Sequence, residues 1–124
     1  MLSINYKDPR PIYEQVRDAL RQLILSGAIA PGEKLPSVRE LAASLAINPN
    51  TIQRSYRELE KLGLVNTVAG KGAFAATDGT AALRWREELM ATLSSTLQEL
   101  KLLGVSESEL QSMVLAVFRK EDET

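Results

Sequence analysis

The sequence predicts a mostly α-helical fold with a single small β-hairpin, and three observations carry that prediction. Apolar residues recur at helical spacing in five separate segments. Only residues 64–76 show the short strand-like runs and glycine-rich turn of a hairpin. Proline, glycine and capping residues stand at the joins between these segments. The 124 residues are 44% hydrophobic and 25% charged, an ordinary globular balance that disfavours wholesale disorder, a collagen-like repeat or a coiled-coil rod. That length allows one ordinary core with a small appendage.

The first helix spans about residues 11–26. Ile12, Tyr13, Val16, Ala19, Leu20, Leu23 and Ile24 form its apolar face, while Glu14, Arg17, Asp18, Arg21 and Gln22 fill the other side. Pro11 suits its first turn and Gly27 its left-handed stop. A turn-rich connector follows, in which Pro31-Gly32 supplies the fixed φ and the permissive residue of a type II turn. Ser37-Val38-Arg39-Glu40 reads as a capping box, with each side chain expected to bond the other residue's backbone N–H. Val38, Leu41, Ala42 and Leu45 then share one face of a helix of two to three turns.

After the break at Ala46-Ile47, Asn48 is an N-cap with Pro49 at the first helical position, opening a third helix that runs to about Leu62 and closes at Gly63. At about 100° per residue, Ile52, Tyr56, Leu59 and Leu62 fall on one side of this helix. Asn50, Arg54, Arg57 and Lys61 cluster on the opposite side, at roughly 140–200° from Ile52. The apolar stripe is expected to face the core and the basic, amide-bearing stripe to face outward. Leu64 to Val68 and Ala73 to Ala76 form the hairpin, with Ala69-Gly70-Lys71-Gly72 as its basic tip. A lone hairpin is marginal in water, so this one must lean on the helices.

Asp78-Gly79 breaks the chain, and residues 80–103 read as a long helix with Leu83, Met90, Leu93, Leu97 and Leu100 as a near-heptad seam ending at Gly104. Ser106-Glu107-Ser108-Glu109 is a second capping box, after which Leu110, Met113, Val114, Val117 and Phe118 make one apolar face. The polar tail from Arg119 to Thr124 is expected to fray.

Residue inventory narrows the function. The chain holds no cysteine and no histidine, which removes disulfides, thiolate nucleophiles, the usual zinc ligands and imidazole acid/base chemistry. The remaining carboxylates are spread along helix surfaces, so no catalytic residue, metal ligand or cofactor is assigned and an enzyme is not expected. No apolar run reaches the roughly 18 residues of a membrane span, and Asp8 and Glu14 near the N-terminus do not suit a signal peptide. A cytoplasmic protein is the expectation.

Three helices followed by a hairpin, with a short second helix joined by a tight turn to a third whose outer face is basic, is the winged helix-turn-helix plan. In that plan the third helix enters the major groove, where base edges carry a distinguishable code, and the wing reaches the backbone or minor groove. The expected architecture is a winged helix-turn-helix domain over residues 1–76 followed by a short two-helix C-terminal dimerisation segment over residues 77–124.

The residues sharpen this plan. Pro11-Ile12-Tyr13-Glu14-Gln15, the run from Pro31-Gly32 through Leu35-Pro36-Ser37-Val38-Arg39-Glu40-Leu41-Ala42, Asn48-Pro49-Asn50-Thr51-Ile52, Tyr56-Arg57-Glu58-Leu59-Glu60 and Gly70-Lys71-Gly72-Ala73-Phe74 together resemble the GntR family of bacterial transcriptional regulators. The resemblance covers residues 11–76, and the short tail resembles the YtrA-type branch, which lacks a large effector domain. It implies that Arg39 contacts the DNA backbone and groove edge and that Ser37 contacts a phosphate. It further implies that Pro49, Asn50, Thr51 and Gln53 lie where members read bases, and that Gly70 and Lys71 form a wing tip in the minor groove. Pro49 stands where some members carry a basic residue.

Chemistry supports these positions without requiring them. The amides of Asn50 and Gln53 suit adenine N6/N7. Arg54 and Arg57 are candidate DNA contacts, Arg54 ahead of Arg57 and Arg57 ahead of Lys61, because recognition helices dock through their N-terminal halves. The alternative is an ordinary solvated face, with Arg54-Glu58 and Arg57-Lys61 as i, i+4 neighbours.

Residues 77–124 are too few to wrap a ligand pocket by themselves. Leu93, Leu97, Leu100, Leu110, Met113, Val114, Val117 and Phe118 are therefore the candidate interface with a second copy, giving a homodimer on a palindromic double-stranded DNA operator. Packing of these residues on the N-terminal domain alone is the competing reading. Charge agrees with the division of labour: residues 1–76 hold 10 basic and 7 acidic residues, net +3, and residues 77–124 hold 5 and 9, net −4. The expected function is a sequence-specific repressor. A winged-helix protein-interaction module whose C-terminal helices dock another protein is the alternative, and the identity or existence of a small-molecule effector stays open.

Overall fold

The computed structural model describes residues 2–122. Its elements are α1 (Ile12–Leu25), α2 (Val38–Leu45), α3 (Pro49–Lys61), β1 (Val65–Val68), β2 (Gly72–Ala75), α4 (Thr80–Leu102) and α5 (Glu107–Asp122). They divide into two compact units, residues 1–84 and residues 85–124, with the division falling inside α4.

In the first unit α3 is the central element, packed by α1, by α2 and by β1. Val16 of α1, Ile52 and Leu59 of α3 are completely buried, and Leu20, Leu35, Leu41, Leu64 and Val65 close the core around them. The first turn of α4 belongs to this unit: Ala81 is buried, and the Arg84 guanidinium donates to the Leu62 carbonyl at 3.1 Å.

The helix ends follow their local signals. Glu40 N donates to Ser37 Oγ at 3.1 Å, Asn50 N to Asn48 Oδ1 at 2.8 Å, and Glu109 N to Ser106 Oγ at 3.1 Å. Among the described residues neither Glu40 nor Glu109 returns a bond to its serine's backbone, so only the serine half of each expected box forms. Glu33 N donates to the Ala30 carbonyl at 2.9 Å, closing the turn around Pro31-Gly32. The helix-turn-helix bend is made by Ala46, which caps α2 in the left-handed region at φ 54°. For a residue with a Cβ this conformation costs on the order of 1 kcal/mol. Ala46 N and Ile47 N donate back into the last turn of α2 and help hold it.

β1 and β2 pair antiparallel with Val65 opposite Ala75 and Val68 opposite Gly72. The hairpin is not left to the helices alone. The connector before α2 lies along the free edge of β2: Ala75 N donates to the Glu33 carbonyl at 2.8 Å, Leu35 N to the Ala73 carbonyl at 2.9 Å, and Lys34 bridges Phe74. A third strand-like segment thus covers an edge that would otherwise be open.

In the second unit no side chain of residues 85–120 is fully buried. α5 continues through Arg119 and Lys120 to Asp122, so the tail expected to fray from Arg119 is helical there. Residues 123–124 of that tail lie outside the described residues. Among the described residues no helix is long and apolar enough to cross a membrane.

Candidate nucleic-acid interface

Three devices hold α3 in place from behind. The Ser55 hydroxyl, fully buried, donates to the Tyr13 carbonyl of α1 at 2.8 Å. Arg17 of α1 pairs with Glu58 at 3.3 Å. The Tyr56 hydroxyl donates to the Pro36 carbonyl at 2.7 Å, immediately before the Ser37 cap of α2. Burial of this phenol, then the nearby Glu40 charge, pushes its pKa up to about 12, so at neutral pH it is a donor locked onto that carbonyl. The start of α2 and the middle of α3 are therefore tied at one point.

With its inner face fixed, α3 turns its other side outward. Pro49, Asn50, Gln53, Arg54 and Arg57 are exposed, and Thr51 is half-buried. Ser37 and Arg39 are exposed at the start of α2. Ser37 Oγ is occupied as the cap acceptor, which leaves its hydroxyl proton available to an outside acceptor. At the hairpin tip the register leaves Ala69, Gly70 and Lys71 outside the pairing, and Lys71 N closes the turn on the Val68 carbonyl at 3.0 Å. Gly70 and Lys71 are both exposed. Between hairpin and helices lies a cleft of about 380 Å³ whose walls bring together Ser37, Gln53 and Lys71, which are far apart in sequence. Thr67 Oγ1 donates to Glu60 Oε2 at 3.0 Å and closes the end of this cleft nearest the C-terminus of α3.

The cations of the first unit sort into two groups. Arg10, Arg17 and Arg21 converge on Asp18, Arg10 also pairs with Asp8, and Lys61 sits 4.0 Å from Glu58. Arg39, Arg57 and Lys71 have no carboxylate partner among the described residues, and neither do Lys7 and Lys34. Arg54 does not pair with Glu58, which is taken by Arg17 and Lys61; its guanidinium lies over the Tyr13 ring, 3.7 Å from the centroid. Cations left unneutralised at the start of α2, on the outer face of α3 and at the hairpin tip suit a polyanion such as the DNA backbone. Among the described residues no cluster of acidic side chains could hold a metal ion.

Comparison with known proteins decides which regulators these features belong to. Residues 12–75 match the family described as bacterial regulatory proteins, gntR family. The chain belongs to the GntR family. That makes it a DNA-binding transcriptional regulator. It is 45% identical over 74 residues to the HTH-type transcriptional repressor YtrA of Bacillus subtilis, a match covering 60% of this chain and 57% of the repressor. A GntR family transcriptional regulator from Listeria monocytogenes superimposes with a TM-score of 0.74 at 34% identity, over 88% of this chain and 96% of that one. The DNA-binding domain of AraR in complex with operator ORX1 superimposes with a TM-score of 0.56 at 30% identity, covering 60% of this chain and 96% of that domain.

In this GntR-family chain, sequence reasoning passed over two residues that the fold brings to the same surface. Lys34 sits in the connector, where a lone lysine gives no periodic signal, yet it lines the cleft with Lys71. Tyr13 reads as part of an apolar helix face, and only tertiary packing sets its ring under Arg54.

The candidate interface residues of the second unit lie as follows. Leu93, Leu97, Met113, Val114, Val117 and Phe118 are exposed, and Leu100 and Leu110 are half-buried. Leu97, Leu110 and Val114, joined by Val105 and Leu115, line an open groove of about 830 Å³ rimmed by Lys101, Glu107 and Gln111. Leu89, Leu102, Leu103 and Leu115 are also exposed and were not singled out by the seam arithmetic, which follows one stripe only.

Proposed function

We propose that this protein is a homodimeric repressor that binds a palindromic operator. In this reading α3 lies in the major groove, with Asn50 and Gln53 reading base edges, Pro49 and Thr51 beside them, and Ser37, Arg39, Arg54 and Arg57 holding phosphates. Gly70 and Lys71 carry the wing into the minor groove. The observation that carries it is the sorting of charge: Arg10, Arg17 and Arg21 on the α1 side are paired with carboxylates, while Arg39 at the start of α2, Arg57 on the outer face of α3 and Lys71 at the hairpin tip have no carboxylate partner among the described residues. That a similar domain, the AraR domain, was solved in complex with an operator supports operator DNA as the partner.

The division of the chain into a DNA-reading part, residues 1–76, and a dimerising part, residues 77–124, belongs to the same proposal. Phe118 is 66% exposed, Val117 62% and Met113 61%, and helices with an apolar face left in water need a partner surface. A second copy offers one, and a twofold dimer sets two recognition helices about 34 Å apart, one turn of the duplex. Occlusion of a promoter in the cytoplasm is then the simplest route to repression.

Leu97→Asp tests the assembly. The variant is expected to sediment as a monomer with its helix content intact and to lose binding to operator fragments selected from the host genome. An intact dimer that still binds those fragments would refute the interface.

A further inference from the structure

Lys34 lies in the connector before α2, outside the three elements, α2, α3 and the wing, to which the proposed function assigns DNA contacts. It is held beside the wing by the pairing of its neighbours with β2: Leu35 N donates to the Ala73 carbonyl and Ala75 N to the Glu33 carbonyl. Its side chain crosses the strand at Gly72. A Cβ on Gly72 would come within 2.9 Å of Lys34 Cε and 3.7 Å of Nζ, so the lysine stem lies directly on the bare backbone. Gly72 has φ +119°, which also favours glycine there. The neighbouring Glu33 carboxylate is turned away, accepting from Ala30 N at 3.0 Å, and Lys34 has no carboxylate partner among the described residues. The ammonium thus reaches the cleft that Ser37, Gln53 and Lys71 line.

We propose that Lys34 contacts a DNA phosphate beside the wing. An unpaired ammonium on a long stem, laid along a surface and ending in a cleft between two DNA-contacting elements, matches the way lysine meets a phosphodiester, as a point charge without directional demand. Its contribution is to affinity and register along the duplex, and base preference is left to α3. The inference rests on the DNA-binding mode described under the proposed function.

The test is the salt dependence of binding to a mixed-sequence DNA duplex of three helical turns, measured for the full chain, Lys34→Gln, Lys34→Arg and Arg39→Ala. Removing one lysine or arginine from a phosphate lowers the slope of log K against log salt by about 0.9. Lys34→Gln is expected to lower it by that amount per subunit with unchanged helix content, and Lys34→Arg to restore it. A wild-type slope in Lys34→Gln, with Arg39→Ala still lowering it, overturns the Lys34 contact and leaves the DNA-binding mode standing. Slopes unchanged in both overturn that mode and the inference together.

Discussion

Replacing Tyr56 by phenylalanine isolates one hydroxyl that ties α3 to the start of α2. The phenol is 5% exposed and donates to the Pro36 carbonyl at 2.7 Å, so at pH 8 the variant should be less stable by about 1 kcal/mol. The sign of the difference then depends on pH. The folded pKa is about 12, against about 10 for a free phenol. A raised folded pKa means that the group's contribution is fully present below pH 10 and is lost as pH rises through 12. Two units correspond to about 3 kcal/mol, since the folded state must expel a phenolate that the unfolded chain tolerates. The wild type therefore loses its advantage between about pH 10 and 11, and by pH 11.5 Tyr56→Phe should be the more stable protein by about 1 kcal/mol. Urea unfolding followed by far-UV circular dichroism at several pH values gives the difference directly, because the other titrating groups are common to both proteins. A difference that stays flat from pH 8 to pH 11.5 would show that the hydroxyl is neither buried nor bonded as described.

Leu59→Ala removes a completely buried side chain from the middle of the α3 core. It should cost about 2–5 kcal/mol, read as a lower urea midpoint, and a loss under about 1 kcal/mol would mean that the site collapses around the smaller residue. The Tyr13 ring under Arg54 predicts thermodynamic coupling of about 0.5–1 kcal/mol in a Tyr13→Leu, Arg54→Ala cycle on DNA affinity. Tyr13→Phe should keep that coupling, and strictly additive effects would argue that Arg54 needs no ring to orient it. Gln53→Ala should relax preference at a single base position by about 1–3 kcal/mol. A uniform loss across all sequences would make Gln53 a backbone contact.

Much of the fold was legible because its signals are local. Asn48 with Pro49 opens α3, Ser37 opens α2, and the spacing of Ile52, Tyr56 and Leu59 sets which side of α3 is buried. Each of these signals acts over a few residues, where one turn of helix determines the partner. The capping boxes show the limit even at that range: the backbone N–H found its serine, but the glutamates, free to rotate in solvent, did not bond back.

The surface chemistry was legible only in part. The basic stripe of α3 could be read from angles alone, yet that reading could not separate Arg57, which stands free, from Lys61, which sits near Glu58, or from Arg54, which rests on Tyr13.

By itself, the sequence determined the order of helices and hairpin, their ends, their buried faces and the resemblance to GntR regulators, because each depends on neighbours within a few positions. Tertiary structure alone decided that residues 32–35 would complete the wing as a third strand-like segment. It also decided that Tyr56 would find the Pro36 carbonyl 20 residues away and Ser55 the Tyr13 carbonyl 42 residues away. It further settled which cations are neutralised and which are left free. Those outcomes depend on residues brought together by closing long loops around one core, and no periodicity or cap in the chain encodes which partner a side chain will meet there.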